Sequence, residues 1–204
     1  MLMTHISTGS NEFPFRAFEK RISRIRREPG IGLFVPLPMA GKRPQPDEYK
    51  AFLWSLRDTM LTLEDAVRIA TAAEKHARKI GQPMNIAIVD GGGNLKLHHR
   101  MDDAWLGSID ISINKAFTAR AFDISTKDLA GNAQPGQQFY GIQQSNHGRV
   151  MIFSGGIPLR RDGKVVGGVG ISGGSGEQDQ SVAEAAAAAF EQTGAKPPAP
   201  KTKA

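Results

Sequence analysis

Apolar and polar residues follow a helical period in the first part of the region from residue 60 to residue 192. Alanines and Ile80 recur every three or four positions between Thr62 and Gly81. Thr62 is a suitable N-cap because Asp65, three residues later, places a carboxylate in the first turn, and Gly81 is a suitable stop. The pattern therefore predicts a helix that starts after Thr62 and stops at Gly81.

A β-hairpin is predicted next. Two short apolar runs, Ile86 to Val89 and Leu95 to Met101, flank an Asp-Gly-Gly-Gly-Asn turn. Glycine and asparagine at such a turn favour a tight reversal between antiparallel strands. The second run ends in His, Arg and Asp side chains, so this hairpin carries structural and chemical information together.

The remaining pattern predicts three more strands and further helices. The helices are expected at 108–121, in a short turn capped by Ser125, and at 178–192, whereas the strands are expected at 150–153, 156–161 and 164–172. Hairpin connections, including an Asp-Gly pair at 162–163, force antiparallel pairing. The fold class is therefore α+β, with helices packed on a five-stranded antiparallel sheet. The glycine- and glutamine-rich stretch 131–145 is expected to be a loop that serves as a lid or pocket wall.

Composition narrows the classes of protein that fit. The chain has 204 residues, no cysteine and a net charge of +6, so disulfides and thiolate metal sites are excluded. The basic excess lies largely at the two ends, and no nucleic-acid-binding pattern or membrane-spanning run accompanies it. We expect one domain at 60–193, a basic extension or a misassigned start at 1–59, and a disordered tail at 194–204. A cytoplasmic location is expected rather than export, because prolines interrupt the apolar run after Arg26-Arg27.

Separate motifs along the chain occur together in one known family. They are Ile88-Val89-Asp90 with Gly93 and Leu95, Arg100-Met101-Asp102, Lys115-Ala116, Thr118-Ala119, Phe153 to Pro158, Gly163 to Gly174, and Gln178-Asp179. With them, residues 61–192 resemble the GlcG/HbpS family, also called the haem-degrading or PduO C-terminal-like domain. The resemblance implies a profilin-like α-β-α sandwich that assembles into dimers and larger oligomers, often octamers. It also implies haem binding or degradation, iron sensing, corrinoid use, or glycolate or aromatic catabolism, without choosing among them.

A basic row is predicted on the second strand of the hairpin. Lys96, His98 and Arg100 share one face, whereas His99 points to the other, because side chains alternate along a strand. Such a row suits an anionic ligand such as a haem propionate or an organic carboxylate. A solvated face or a dimer contact would give the same pattern.

Other histidines and polar side chains are candidates for ligand or metal binding. His76, His98 and His147 could ligate iron through an imidazole, although a packing or surface role is commoner for a lone histidine. Lys115 and Thr118 lie three apart on the predicted helix 108–121 and could face a common space.

Two glycine pairs are candidate ligand contacts. Gly155 and Gly156 allow the close approach of a ligand or a subunit, while Gly173 and Gly174 precede a helix and could offer backbone N–H groups to an anion or form a flexible turn. The glycines at 167–170 lack a P-loop continuation and are interpreted as close packing against a neighbouring backbone.

Three functions remain open. The first is haem, tetrapyrrole or iron binding, with haem or iron as cofactor and a small molecule as ligand. The second is an enzyme or accessory protein for a small carboxylic acid, in which Arg100 and Lys115 hold the carboxylate and Asp102 or Asp103 carries the proton. The third is a structural oligomerisation module. Hydrolase motifs are absent from the sequence.

Overall fold

A computed structural model describes residues 60–191, and the structural statements below refer to that part of the chain. The predicted extension 1–59 and tail 194–204 lie outside the described residues. The elements in chain order are α1 (Leu63–Lys79), β1 (Asn85–Asp90), β2 (Leu95–Arg100), α2 (Ser108–Phe122), α3 (Thr126–Asn132), β3 (Gly156–Arg161), β4 (Lys164–Ser172) and α4 (Gly176–Glu191), with two 3-10 turns, Ile142–Gln144 and Asn146–Gly148, between α3 and β3.

The strands form one antiparallel sheet in the order β2-β1-β4-β3. This confirms an α+β fold with an antiparallel sheet, but the described residues contain four strands and the prediction of five was wrong. The segment predicted as a strand at 150–153 has no strand partner. Instead, the Met151 N–H donates to the Thr118 hydroxyl at 2.9 Å, and Val150 is buried. The apolar run 150–153 therefore packs beside α2 and does not pair with the sheet.

The start of α1 follows the predicted capping pattern. The Thr62 hydroxyl accepts from the Asp65 N–H, and the Asp65 carboxylate accepts from the Thr62 N–H. Arg68 and Arg161 also contact this carboxylate, at 2.7 and 3.0 Å. Burial alone would raise the pKa of Asp65, but these hydrogen bonds outweigh it and lower the pKa to about 2. The cap therefore also fixes α1 to the end of β3.

The sheet has two faces with different packing. On the two-helix face, isoleucines and valines of β1 and β4 pack against the alanine stripes of α1 and α4. On the one-helix face, Ala87 and Val89 pack against Ile113 and Ala116 of α2. Each face buries apolar side chains, so the sheet lies between helical layers.

Glycines allow α2 to lie very close to the sheet. A Cβ atom on Gly170 would overlap the Ser112 carbonyl oxygen and the Ala116 nitrogen, and one on Gly168 would meet the Ala116 carbonyl oxygen at 2.5 Å. Both glycines belong to β4 and face α2. The interpretation of these glycines as close backbone packing is confirmed.

Candidate functional site

The basic row lies on an outer strand of the sheet. Since His98 pairs with Ala87 of β1, its side chain lies on the one-helix face. The helix α2 lies mainly over β1, β3 and β4, so Lys96 and Arg100 remain exposed and His98 is half-buried. We call this surface, formed by Lys96, His98 and Arg100, the basic shelf.

His98 is the chemically distinctive member of the basic shelf. Its Nε2 atom is buried and has no hydrogen-bond partner among the described residues. Burial lowers the pKa of His98, and the positive charges of His99 and Arg100 act in the same direction. The neutral imidazole is the form that binds metals. A ligand atom at this nitrogen would supply the missing interaction, so the site fits an imidazole-coordinated iron.

His99 has a different environment although it is the next residue. It pairs with Ile86, whose side chain belongs to the two-helix face. Its Nε2 lies 3.4 Å from a carboxylate oxygen of Glu74 on α1. The two histidines therefore cannot act as one site within this chain.

Arg100 is held at one end of the basic shelf. Its Nε and Nη2 donate to the Ala104 carbonyl oxygen at 3.2 and 2.8 Å. Beside it, the Asn85 side chain donates to the Trp105 carbonyl oxygen at 3.0 Å, while the Asn85 Oδ1 is buried without a partner among the described residues. Arg100 thus fixes the loop after β2 through Nε and Nη2, and these bonds do not use its Nη1.

The two carboxylates predicted as proton carriers lie elsewhere. Asp102 and Asp103 line an open cleft of about 340 Å³ together with residues at the end of α1 and after it, namely Ala77, Arg78, Gly81, Gln82, Pro83 and Met101. The residues that line this cleft do not include His98. The structure therefore places the acidic pair on a cleft whose lining does not include the His98 imidazole.

Lys115 is fully buried and paired inside the protein. Its Nζ donates to the Asp179 carboxylate at 2.6 Å and to the Ile171 carbonyl oxygen at 2.9 Å, and it lies 4.6 Å from the centre of the Phe153 ring. Burial lowers the pKa of Lys115 and raises the pKa of Asp179, while their mutual attraction opposes both shifts. This internal pairing gives Lys115 a structural role and removes it from the surface where a carboxylic acid would bind.

The predicted glycine sites also face internal groups. The N–H groups of Gly173 and Gly174 donate to the Asp179 carboxylate at 3.1 and 3.0 Å, so the anion that they bind is the protein's own. A Cβ on Gly156 would meet the Lys115 carbonyl oxygen at 2.6 Å, and one on Gly155 would meet the Ile171 carbonyl oxygen at 2.7 Å. Their close approach is to α2 and β4.

The other predicted ligand residues are dispersed. Thr118 is buried, and its hydroxyl contacts the carbonyl oxygens of Asn114 and Arg149 and the Met151 N–H. His76 is half-buried on α1, 3.3 Å from the Ser181 hydroxyl. His147 is exposed in a 3-10 turn with φ of 59°. None of these hydrogen bonds of Thr118 and His76 is with Lys96, His98 or Arg100.

Sequence reasoning missed Arg149 and its support on α2. The Arg149 guanidinium lies 3.7 Å from the centre of the Phe117 ring, and its Nε donates to the Asn114 side chain at 3.3 Å. No motif in the sequence marks Arg149, because its partners lie on another element more than thirty positions away.

The described part of the chain has neither a multidentate metal cluster nor a membrane-spanning helix. Residues 60–191 contain no group of three or more His, Cys, Asp or Glu side chains suited to a metal ion. Among the same residues, no helix combines the length and apolar character that crossing a membrane requires.

Comparisons with known proteins agree with this architecture. The chain is 45% identical over 132 residues to an uncharacterized 15.0 kDa protein of the dhaT-dhaS intergenic region of Citrobacter freundii, covering 65% of this chain and 93% of that protein. It is 40% identical to the corrinoid adenosyltransferase PduO of Salmonella typhimurium, covering 64% of this chain but 39% of that protein.

A solved structure of a PduOC:heme complex is also similar. It is 40% identical, with a TM-score of 0.62, and the match covers 64% of this chain and 94% of that chain. The model of the haem degrading protein HbpS-like family matches residues 61–188. Since the match takes in more than half of the chain, this protein belongs to the GlcG/HbpS family.

Proposed function

We propose that this protein binds haem at the basic shelf, with His98 as an iron ligand. The observation that carries the proposal is the buried Nε2 of His98, which has no partner among the described residues. A porphyrin occupies four positions around its iron, so a single imidazole from the protein is a sufficient ligand set. When bound, haem would supply redox-active iron, and the residues of this chain would hold and orient it.

Charge supports the same assignment. Arg100 and His98 share one face of β2, since they pair with Asn85 and Ala87 of β1, and Lys96 lies at a bulge on the other side of His98 along the strand. Cations beside an iron ligand suit the two carboxylates of a haem. The similarity to a protein solved in complex with heme supports this ligand class as well.

The carboxylic-acid alternative has less support. It needs Arg100 and Lys115 to hold one carboxylate, but Lys115 is fully buried and paired with Asp179. Its acidic groups, Asp102 and Asp103, line a cleft that does not include the basic shelf. We therefore propose haem as the ligand. Degradation or sensing of haem would be an additional activity that begins from this binding.

A hemin titration tests the proposal. We expect the wild-type protein to shift the Soret band of hemin with a saturable dependence on concentration, and His98→Ala to lose most of that shift. His99→Ala is a matched control, because it removes the neighbouring imidazole from the opposite face. An unchanged Soret band with wild-type protein would refute haem binding.

The variants test which residue ligates the iron, apart from whether the protein binds haem. If wild-type protein and His98→Ala give the same shift, the iron ligand is elsewhere, and His76→Ala and His147→Ala identify which other predicted imidazole is used. Circular dichroism of each variant shows whether a lost shift reflects a lost fold.

We also propose that the protein is a cytoplasmic homo-oligomer, a dimer or an octamer, as the family resemblance implies. Light scattering after size-exclusion chromatography gives the mass in solution. A monomeric mass, with and without hemin, would contradict the oligomer.

A further inference from the structure

Arg149 is held rigidly above α2. Its guanidinium plane stacks on Phe117 at 3.7 Å from the ring centre, and its Nε donates to the Asn114 carboxamide oxygen. The Asn114 amide group in turn donates to the Asp110 carboxylate at 2.9 Å, which fixes its orientation. Stacking and a directional hydrogen bond together reduce the rotamer freedom of the arginine before any ligand binds.

The hydrogen bond to Asn114 uses only the Nε of Arg149. The two terminal nitrogens, Nη1 and Nη2, form the fork of the guanidinium and are available to a ligand. They make no hydrogen bond with any residue from 60 to 191, and the side chain is half-exposed. Arg120 of α2 differs because its Nε donates to the Gly91 carbonyl oxygen and its Nη1 to the Asp123 carboxylate. Two parallel N–H donors in a fixed plane match the geometry of a carboxylate.

The position of Arg149 relates it to the basic shelf. Its stacking partner Phe117 lies against the start of β2, since a Cβ on Gly93 would be 3.3 Å from the Phe117 ring. One helical turn earlier, roughly 6 Å along α2, Ile113 packs with Ala87, which pairs with His98. The Arg149 guanidinium therefore lies with Phe117 nearer to Gly93, whereas Ile113, one turn away, lies nearer to the Ala87–His98 pair.

We propose that the free fork of Arg149 binds a carboxylate of the ligand, and that in haem this carboxylate is a propionate. The inference rests on the haem proposal above and adds to it the group that fixes the orientation of the ligand. Lys96, near the same end of β2, contributes a second positive charge. Arg149 is thus a binding residue for the edge of the porphyrin, distinct from the iron ligand.

Hemin and its dimethyl ester test this assignment, because the ester keeps the iron and the ring but blocks both carboxylates. We expect the wild-type protein to bind hemin about tenfold more tightly than the ester, the size of effect that a hydrogen bond to a charged group supports. Arg149→Gln should weaken hemin binding and leave ester binding unchanged, so that most of the roughly tenfold preference is lost and the remainder reflects the charges of Lys96 and Arg100. Arg149→Lys should restore only part of it, since a lysine lacks the planar fork.

Arg160→Gln is the matched control. Arg160 is an exposed arginine on β3, the opposite outer strand, and its Nη2 donates to the Asp123 carbonyl oxygen. The variant should bind both compounds as the wild type does. If Arg149→Gln fails to fold by circular dichroism, the wild-type preference for hemin over the ester and its reduction in Arg149→Lys decide the question.

The carboxylate site at Arg149 and haem binding itself would be overturned by different results. Equal binding of hemin and ester by the wild type, or an unchanged preference in folded Arg149→Gln, would overturn the carboxylate site while leaving haem binding intact. Absence of hemin binding by the wild type would overturn both proposals. Loss of the Soret shift in His98→Ala together with a retained preference for hemin over the ester would support two separate roles for His98 and Arg149.

Discussion

The two faces of the sheet are stabilised by opposite means. The two-helix face has large aliphatic side chains on the strands and alanines on the helices, as where Ile86 and Ile88 pack with Ala70 and Ala73. On the one-helix face, small groups lie on the strands, so α2 rests almost directly on the backbone of β4. The first face gains stability from apolar area, and the second from close contact that tolerates no added atom.

This difference also explains where a ligand can bind. Two helices cover the first face, whereas α2 lies mainly over the inner strands and β3 on the second. The outer strand β2 is therefore only partly covered, so that Lys96 is exposed and His98 is half-buried with its Nε2 atom buried. The proposed haem site lies on this less covered strand.

The largest expected loss of stability comes from breaking the ion pair that joins α2 to α4, which belong to different helical layers. Lys115 of α2 pairs with Asp179 in the first turn of α4. Lys115→Met leaves a buried carboxylate without its cation, and we expect the free energy of unfolding to fall by about 3–5 kcal/mol. The midpoint of urea denaturation measures this loss.

The control for that variant is the double substitution Lys115→Met with Asp179→Asn. It removes the unpaired charge as well, so it should recover part of the stability lost by the single variant. A single variant that loses less than about 1 kcal/mol would contradict a structural role for the pair.

The next effect concerns the one-helix face. Gly170→Ala adds one methyl group where the backbone of α2 already lies, and we expect a loss of about 3 kcal/mol, the upper end of the usual overpacking cost, because backbone atoms cannot rotate away. Thermal or urea unfolding measures it. Gly131→Ala is the control, since nothing lies within 4 Å of the added atom, and its stability should change by less than about 1 kcal/mol.

A third prediction uses the cap that joins α1 to β3. The folded pKa of Asp65 is about 2, below its ordinary value of 3.8. The ionised carboxylate therefore stabilises the folded state above about pH 4, and this contribution is lost as the pH falls toward 2. Asp65→Asn should cost about 2 kcal/mol at pH 7.

Urea denaturation of the wild type and of Asp65→Asn across pH 7 to 2 tests whether the stability that Asp65 contributes is lost as the pH falls. The difference between the two proteins should shrink as the pH is lowered through the interval between 4 and 2. A difference that stays constant over the whole range would show that the charge of Asp65 is not responsible.

The smallest expected effect lies on the two-helix face. Ile86→Val removes one methylene from a fully buried side chain, which should cost about 1 kcal/mol. The same urea measurement detects it. Comparison with Gly170→Ala sharpens the contrast, because removing a carbon from the first face should cost less than adding one to the second. The reverse order would contradict the difference between the two faces.

The sequence predicted the local elements well. The capped start of α1, the glycine turn between β1 and β2 and the Asp-Gly hairpin between β3 and β4 were all confirmed. The predicted strand at 150–153 was wrong, because its apolar residues alone cannot distinguish strand pairing from packing beside a helix. The caps and turns that were predicted correctly depend on residues within a few positions of one another.

The candidate site was predicted only in part. The strand period placed His98 and Arg100 on one face and His99 on the other, and the register confirms this, but it did not predict the bulge at Lys96. Nothing local indicated that Lys115 would face Asp179, 64 positions away, or that Arg149 would stack on Phe117. Their roles depend on contacts between elements.

The sequence by itself determined the family, the order of helices and hairpins and the alternation of side chains from Leu97 to Arg100 of β2. These follow from turn residues, caps and periodicity, which act over a few neighbouring positions. Only the tertiary structure decided that the cation of Lys115 is buried in an ion pair and that the fork of Arg149 is free. The physical reason is that burial and pairing are set by which distant elements pack together, and no local pattern encodes that choice.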